Sequence, residues 1–221
     1  MISVNHLSKV VGGNKVLEDV TLQVARRECV RVAGARRSGR TTLLRLLAGL
    51  ASPTSGAIVI DDVDVVSHPL KARRHIGYVG EDTLVGSRLR VDEYLWVVRN
   101  GRGLPGRRLD DLMKGARLER RAGIDSLPAE GRAALALAAA LAAEASVFLL
   151  DDALRAVNEA DRLVFAEWIG EARDKGAAVV VVSDEPDEMT TLCGRVITLE
   201  NGRLNSGLAH LRFAEEASWA R

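Results

Sequence analysis

Between Gly34 and Leu47 the chain reads GARRSGRTTLLRLL. A glycine, four residues, a second glycine and then hydroxyl residues opening an apolar helix make the frame of a phosphate-binding loop. Such a loop needs a strand before it, here CVRVA at Cys29–Ala33, and a helix after it whose N-terminal amides face an anion. Gly34, Ala35, Arg36, Arg37, Ser38, Gly39, Arg40, Thr41 and Thr42 are therefore the candidate phosphate contacts. The position at which a lysine reaches the outer phosphates holds Arg40, and Arg36 and Arg37 add two further guanidinium groups. Arginine keeps the charge of lysine but not its shape, because a planar fork is bulkier than an ammonium. The stretch thus raises the question of whether a nucleotide is still bound and hydrolysed, or only the shape of the loop is kept.

Outward from the loop, three short β-branched runs read as buried strands of a parallel sheet: CVRVA, VFLL at Val147–Leu150 and AVVVVS at Ala178–Ser183. Upstream, MISVNHLSKVV, VLEDVTLQV and GAIVIDDVDVV alternate apolar and polar residues, which predicts half-exposed antiparallel strands. From Val91 to about Ala143 the pattern is helical, broken by RNGRGLPGRR. The expected fold class is α/β. A P-loop-type parallel sheet core carries an N-terminal antiparallel β subdomain and an inserted helical lobe. The expected organisation is one domain over 1–221, with the core at 1–86 and 145–204 and the lobe at about 87–144. The remaining tail, 205–221, is expected to be helical and capped by Asn205 or Ser206.

With 221 residues, 47% of them apolar and a net charge of +1, the chain can bury a full core. It lacks the basic excess that nucleic acid calls for, so nucleic acid is not expected as a partner. The longest wholly apolar run, Ala133–Ala143, is about half of the ~20 residues that a membrane span requires, and the N-terminus is polar. Two distant cysteines, Cys29 and Cys193, predict neither a metal site nor a disulfide framework, and Cys29 reads as a small core residue.

The stretch GARRSGRTTLLRLLAGLASPTSGAIVIDD resembles the corresponding segment of ABC transporter ATP-binding subunits. The resemblance extends over roughly residues 2 to 204. LSKVVGGNKVLEDVTLQV is similar to the family's first strands, RRHIGYVGED to the approach to its glutamine loop, and LRVDEYL to a helix start that follows. VFLLDDAL resembles the Walker B strand, and DEPDEMTTLCGRVITLENGRL the segment after the switch histidine. Members of the family hold two ATP molecules between two nucleotide-binding domains, each site combining the Walker motifs of one with the LSGGQ signature of the other. The resemblance therefore implies ATP and Mg²⁺ as ligands, a second nucleotide-binding subunit and a transmembrane permease as partners. It also implies a cytoplasmic location, peripheral on the inner face of the cell membrane.

Carried over position by position, the resemblance also implies loss. The adenine-stacking aromatic falls at Val11, the glutamine at Glu81 and the switch histidine at Asp184. The signature falls at Leu127, Pro128, Ala129, Glu130 and Gly131, which removes its serine, takes away a backbone donor and places a carboxylate where a γ-phosphate would lie. Asp151 keeps the Walker B acid, a metal ligand together with Thr41, while the catalytic glutamate becomes Asp152, one methylene shorter. A base set back in this way forfeits much of the 10²–10⁴-fold that general-base catalysis typically supplies. The loop after Walker B reads RAVN, Arg155 to Asn158. Glu81, Asp151, Asp152 and Asp184 would carry −4 if all were ionised, opposite Arg36, Arg37 and Arg40.

These departures lead to the expectation that Arg40 reaches Asp151, Asp184 or Glu81 and that arginine–carboxylate pairs fill the ATP-Mg²⁺ space. The chain then serves assembly and coupling beside a more complete nucleotide-binding partner, and a permease docks near Glu81 to Leu95. A competing reading has the carboxylates hold Mg²⁺ and the arginines hold phosphate. Two further readings stay open: an active ATPase in which Arg40 and Asp152 replace the usual Lys and Glu, and a soluble regulatory protein on the same fold. Whether ATP binds at all, or no cofactor does, is undecided by the sequence.

Overall fold

The computed structural model describes residues 1–80, 83–102, 118–153, 155, 157, 159–183 and 190–205. In chain order its strands are β1 (Ile2–Val11), β2 (Asn14–Val24), β3 (Cys29–Ala33), β4 (Ser55–Ile60), β5 (Val63–Asp64), β6 (Ile76–Gly80), β7 (Val147–Asp151), β8 (Ala178–Val182), β9 (Arg195–Glu200) and β10 (Arg203–Asn205). The described helices are α1 (Arg40–Leu47), α2 (Pro69–Ala72), α3 (Val91–Arg102), α4 (Ala129–Ala142) and α5 (Glu159–Asp174).

The strands form two sheets. An antiparallel sheet has the order β2-β1-β4-β5, and a six-stranded sheet the order β10-β9-β3-β8-β7-β6. In the larger sheet β9, β3, β8, β7 and β6 run parallel, and β10 closes one edge antiparallel to β9. The two sequence patterns explain this division. Every residue of β7 and β8 is buried, because both faces of a parallel sheet are covered and no alternation survives. The strand β1 instead alternates through Ile2, Val4 and Leu7, with a register shift between Val4 and Leu7 where His6 takes a φ of 48°.

Alternate residues of the parallel strands feed two separate cores. Val147 and Leu149 of β7, with Val30 and Val32 of β3, pack with the antiparallel sheet and the apolar face of α1. Phe148 and Leu150, with Cys29 and Val79, meet Leu137 and Leu141 of α4 and Phe165 and Ile169 of α5. The small residues of α4 allow a close approach. A side chain at Gly77 of β6 would lie 2.8 Å from the Ala140 methyl. Burying a large apolar side chain in either layer is worth about 1.5–3 kcal/mol. On its other side α4 contributes Leu135 and Ala142 to a third cluster with Val91 and Leu95 of α3, and Ile124.

Three expectations change. Asn205 does not cap a helix: it pairs with Thr198 as the last residue of β10 and its amide donates to Glu200 Oε2 at 3.0 Å. Residues 206–221 lie outside the described residues. The helix α3 continues to Arg102, into the stretch read as a break. Cys29 and Cys193 are joined as a disulfide, their Cα atoms 4.3 Å apart. The topology brings them together, since Cys29 opens β3 and Cys193 precedes β9, the neighbouring parallel strand. Cys29 is, as expected, a buried core residue.

Candidate functional site

The carboxyl ends of the parallel strands collect the loop after β3, Gly80 of β6, Asp151 of β7 and Ser183 after β8. Ligands bind at this edge of an open α/β sheet. The loop geometry explains its two glycines. A side chain at Gly34 would collide with the Leu199 carbonyl and lie 2.8 Å from Ser38 Oγ. Gly39, at φ 104°, is the N-cap of α1, and a Cβ there would lie 2.7 Å from the Val16 carbonyl oxygen and 2.9 Å from a Leu17 methyl. Any L-residue at Gly39 would be both strained and crowded.

With glycine as its cap, α1 has no side-chain cap hydrogen bond and no acid in its first turn. Its N-terminal amides and macrodipole are thus open to an anion. They face a 310 Å³ cavity lined by Val16, Arg37, Ser38, Gly39, Arg40, Thr41 and Thr42. Ala35, Arg36 and Arg37 are exposed, and Arg37, at φ 67°, is the one of the three that lines the cavity. Ser38 and Arg40 are buried, and Ser38 Oγ has no hydrogen-bond partner among the described residues.

Arg40 turns inward. The residue is 7% exposed, and its guanidinium is close enough to Asp151 for its charge to act on that carboxylate, after that of Arg45. Asp151 is itself 5% exposed and accepts a hydrogen bond from Thr41 Oγ1 at 3.2 Å. Its pKa is nevertheless raised, first by burial and then by the neighbouring charge of Asp152. The Thr41 hydrogen bond, Arg45 and Arg40 oppose the rise without cancelling it. Asp152 sits at φ 48°, its amide donating to the Val182 carbonyl at 2.9 Å. It opens on a 280 Å³ cavity shared with Gly80, Thr83, Ala129, Ala133, Ala153 and Arg155. Asp152 is therefore in contact with the same space as the start of α4.

The signature-like stretch lies at that start. Pro128 is the N-cap, without a side-chain cap hydrogen bond, and Ala129 and Glu130 begin the helix on the exposed surface. Leu127 is held from behind by Arg132, whose Nη1 donates to its carbonyl at 2.5 Å. Gly131 is buried, yet a methyl there would find only ordinary contacts of 3.5 Å, so its backbone conformation does not demand glycine. Val11 ends β1, paired with Asn14 at the hairpin and 53% exposed, and offers no ring for stacking.

Of the four expected carboxylates, the structure brings Asp151 and Asp152 together. Glu81 and Asp184 lie outside the described residues, as do two of the four residues of the RAVN loop, at positions 156 and 158. Two features escaped the sequence reading. Arg31, on the same face of β3 as Cys29, donates from Nη2 to the Ser183 carbonyl at 3.4 Å, next to the switch-histidine position. A charge inside an otherwise apolar strand was its only signal. The other is Asp61, whose partners are scattered along the chain and which left no local trace.

Thr41 and Asp151, the two metal ligands of the expected site, lie together, and Mg²⁺ takes few protein oxygens beside phosphates and waters at about 2.0–2.1 Å. Thr41 Oγ1 donates its proton to Asp151 and keeps its lone pairs for a cation, so the pair fits the ion, while the positive charges of Arg45 and Arg40, which act on the same carboxylate, weigh against it. Among the described residues no group of three or more His, Cys, Asp or Glu side chains could hold a metal ion. Nor, among them, is any helix long and apolar enough to cross a membrane.

Comparison with known proteins gives one consistent picture. Residues 17–155 match the family model described as ABC transporter. The chain is 32% identical over 215 residues to sulfate/thiosulfate import ATP-binding protein CysA 2 of Rhizobium meliloti, covering 92% of this chain and 58% of that one. It is thus little more than half that relative's length. It is 30% identical over 212 residues to the lipopolysaccharide export system ATP-binding protein LptB of Escherichia coli K12, covering 92% of this chain and 88% of that one. Among solved structures, an ATP-binding subunit of an ABC transporter superposes with a TM-score of 0.85 at 26% identity, over 92% of this chain and 88% of that one. A bacterial ABC transporter cassette solved as a dimer shares the fold, with a TM-score of 0.81 at 23% identity over 93% of this chain and 97% of that one.

Proposed function

The chain belongs to the ATP-binding subunits of ABC transporters, and from that membership we propose that it is a catalytically impaired one. It serves assembly and coupling beside a second, more complete nucleotide-binding subunit and a permease. The observation that carries this reading is the burial of Arg40 at the lysine position. Its charge acts on Asp151, and beside that acid the catalytic glutamate is replaced by the shorter Asp152. The helix after the loop, both sheets and both cores are intact, so the changes are concentrated where nucleotide would be touched.

Each composite site in a pair with a complete partner would then have one impaired half. One would lack the usual lysine and catalytic glutamate, the other the signature serine. The permease would meet the exposed apolar residues before and on α3, namely Val85 and Leu89, then Trp96 and Val97, at and beside the region from Glu81 to Leu95. The named relatives include both an import and an export system, so no cargo or direction is assigned.

The test is steady-state hydrolysis of ATP-Mg²⁺ by the purified chain, with Asp152→Asn alongside it. The proposal expects no turnover above background in either. Turnover by the parent chain that Asp152→Asn abolishes would instead establish an active ATPase with Arg40 and Asp152 in the substituted roles.

A further inference from the structure

One face of β3 holds both ends of the connection from β8 to β9. At the near end Arg31 donates from Nη2 to the carbonyl of Ser183, the residue that follows β8, at 3.4 Å. At the far end Cys29 is bonded to Cys193, two residues before β9. Cys29 and Arg31 are alternate residues of β3, so their side chains leave the strand on the same side. The strand runs on into Gly34 of the loop, and Asp184, the switch-histidine position, follows Ser183 directly in the sequence. We propose that the Cys29–Cys193 pair is a reversible thiol–disulfide site, whose oxidation tethers the turn at Thr190–Leu192 to the strand that carries the loop.

The fold does not depend on this bond. Beyond Cys193 the chain joins β3 through a parallel ladder, from Val30 with Arg195 to Ala33 with Thr198, and Cys29 is packed in a large apolar cluster. Both remain when the sulfurs part. Disulfides are indispensable to small domains without a sufficient core, and this chain has two extensive ones. In a reducing compartment a single bond of this kind is characteristically transient or redox-sensing. The turn at Thr190–Leu192 is placed differently, because it belongs to neither sheet. It is held by the neighbouring disulfide, by the Cys193 amide donating to the Thr190 carbonyl at 3.1 Å, and by Arg173 of α5, whose Nη1 donates to the Leu192 carbonyl at 2.8 Å. Breaking the sulfur bond removes its covalent link to β3 and leaves the link to α5.

Both cysteines are closed off from a reductant, Cys29 being 3% exposed and Cys193 1%. Exchange requires a thiolate to attack one of the sulfurs directly. It therefore waits for the turn to open, and the redox state of the pair records how often that happens. In the step itself a dithiol gives up two electrons and two protons. The Cys29–Cys193 bond breaks into two thiols, and the dithiol closes into its own disulfide.

The experiment takes the full chain equilibrated with oxidised glutathione and, separately, with millimolar dithiothreitol. Alkylation followed by peptide mass spectrometry should show Cys29 linked to Cys193 in the first sample and both thiols blocked in the second, with the circular dichroism unchanged. Because the bond ties residues 164 positions apart in the unfolded chain, reduction should lower the urea midpoint by about 1 M or more. Amide hydrogen exchange over residues 190–193 should be about tenfold faster in the reduced chain, while exchange over β1 and β2 stays the same. The comparison is between two states of one chain, so no substituted protein has to fold. A folded chain that forms no link in oxidised glutathione would overturn the proposal. So would a link that dithiothreitol breaks only once urea has unfolded the chain, or exchange over 190–193 that is equal in the two states. No nucleotide enters the experiment, so the impaired-subunit reading stands or falls separately, on the hydrolysis assay.

Discussion

The strand β7 has a carboxylate at each end, and the two are treated in opposite ways. At its start, the Ser146 hydroxyl donates to Asp61, which also lies 2.6 Å from the Met1 amine, 3.1 Å from Arg26 and 3.6 Å from His75 Nδ1. Burial works to raise the pKa of Asp61, but the hydrogen bonds from the N-terminal amine and Ser146, with the charge of Arg26, outweigh it and bring the pKa down. At the other end Asp151 is buried more deeply, has one hydroxyl donor among the described side chains and an acidic neighbour, and its pKa is raised. Burial pushes the pKa up at both ends, and it is outweighed only at Asp61, where donors and positive charges gather around a less buried carboxylate. The Asp61 end is a clasp, tying the β4–β5 turn to the segments that lead into β6 and β7. The Asp151 end keeps an unbalanced charge at the place where a ligand would have balanced it.

The largest effect that this contrast predicts is at the clasp. Asp61→Ala removes a shared acceptor and leaves the Ser146 hydroxyl without its principal partner at the base of the sheet. Stability should fall by about 2–3 kcal/mol, read as a lower denaturant midpoint at unchanged slope. A loss below about 0.5 kcal/mol would mean that the clasp contributes little and that the contrast between the two ends is not energetic. The linkage has a definite sign. The folded-state pKa of Asp61 lies below its unfolded value, so its contribution is complete above the ordinary carboxylate value of about 3.9 and is lost as pH falls through the folded value.

The sequence disclosed these two ends unequally, and the reason is range. The loop at Gly34–Gly39 was legible because its demands are local: two glycines at fixed spacing, a strand before and a helix after. The strands β3, β7 and β8 were legible because unbroken β-branched runs have few alternatives. The strand β6, IGYVG, was not separately identified, since Gly77 and Gly80 dilute its signal. Yet Gly77 is there because α4 packs so closely that no side chain fits. The partners of Asp61 stand 35 and 85 positions away at Arg26 and Ser146, beyond any motif. The cysteine pair, 164 residues apart, was hidden for the same reason. At the site itself the sequence showed that Arg40 replaces a lysine, but it could not show that Arg40 is buried. Direction is decided by packing, and packing is set by the whole sheet.

A middle-sized effect belongs to Thr41. Thr41→Val keeps the shape and removes the only hydrogen bond given to Asp151 by a described side chain, at a cost of about 1 kcal/mol. It should also push the pKa of Asp151 further up, since burial and Asp152 would then meet less opposition. A carbonyl-region infrared titration, read against the same titration of Asp151→Asn, would show that shift. A downward movement would mean that Arg40 swings closer and that its guanidinium dominates the site.

The smallest effect on stability, and the most discriminating, is that of Asp151→Asn. A carboxyl whose folded pKa is raised disfavours its charged form in the folded state. Its burden is therefore fully present above the folded pKa and is relieved as pH falls toward the unfolded value of about 3.9. Replacing the acid with a neutral amide of the same shape should leave stability at neutral pH unchanged or raised by up to about 1 kcal/mol. Between the two pKa values it should also remove the rise in stability on acidification. The same substitution at Asp61 should do the reverse, lowering stability at neutral pH and removing a loss on acidification. Denaturant midpoints measured above about pH 3.9 for Asp151→Asn and below it for Asp61→Asn would give slopes of opposite sign relative to the parent chain. If Asp151→Asn instead destabilised the chain by 2 kcal/mol or more at neutral pH, about the cost of breaking a charge-assisted bond, the carboxylate would be paired after all. Arg40 would then be its structural partner, and the two ends of β7 would be two clasps.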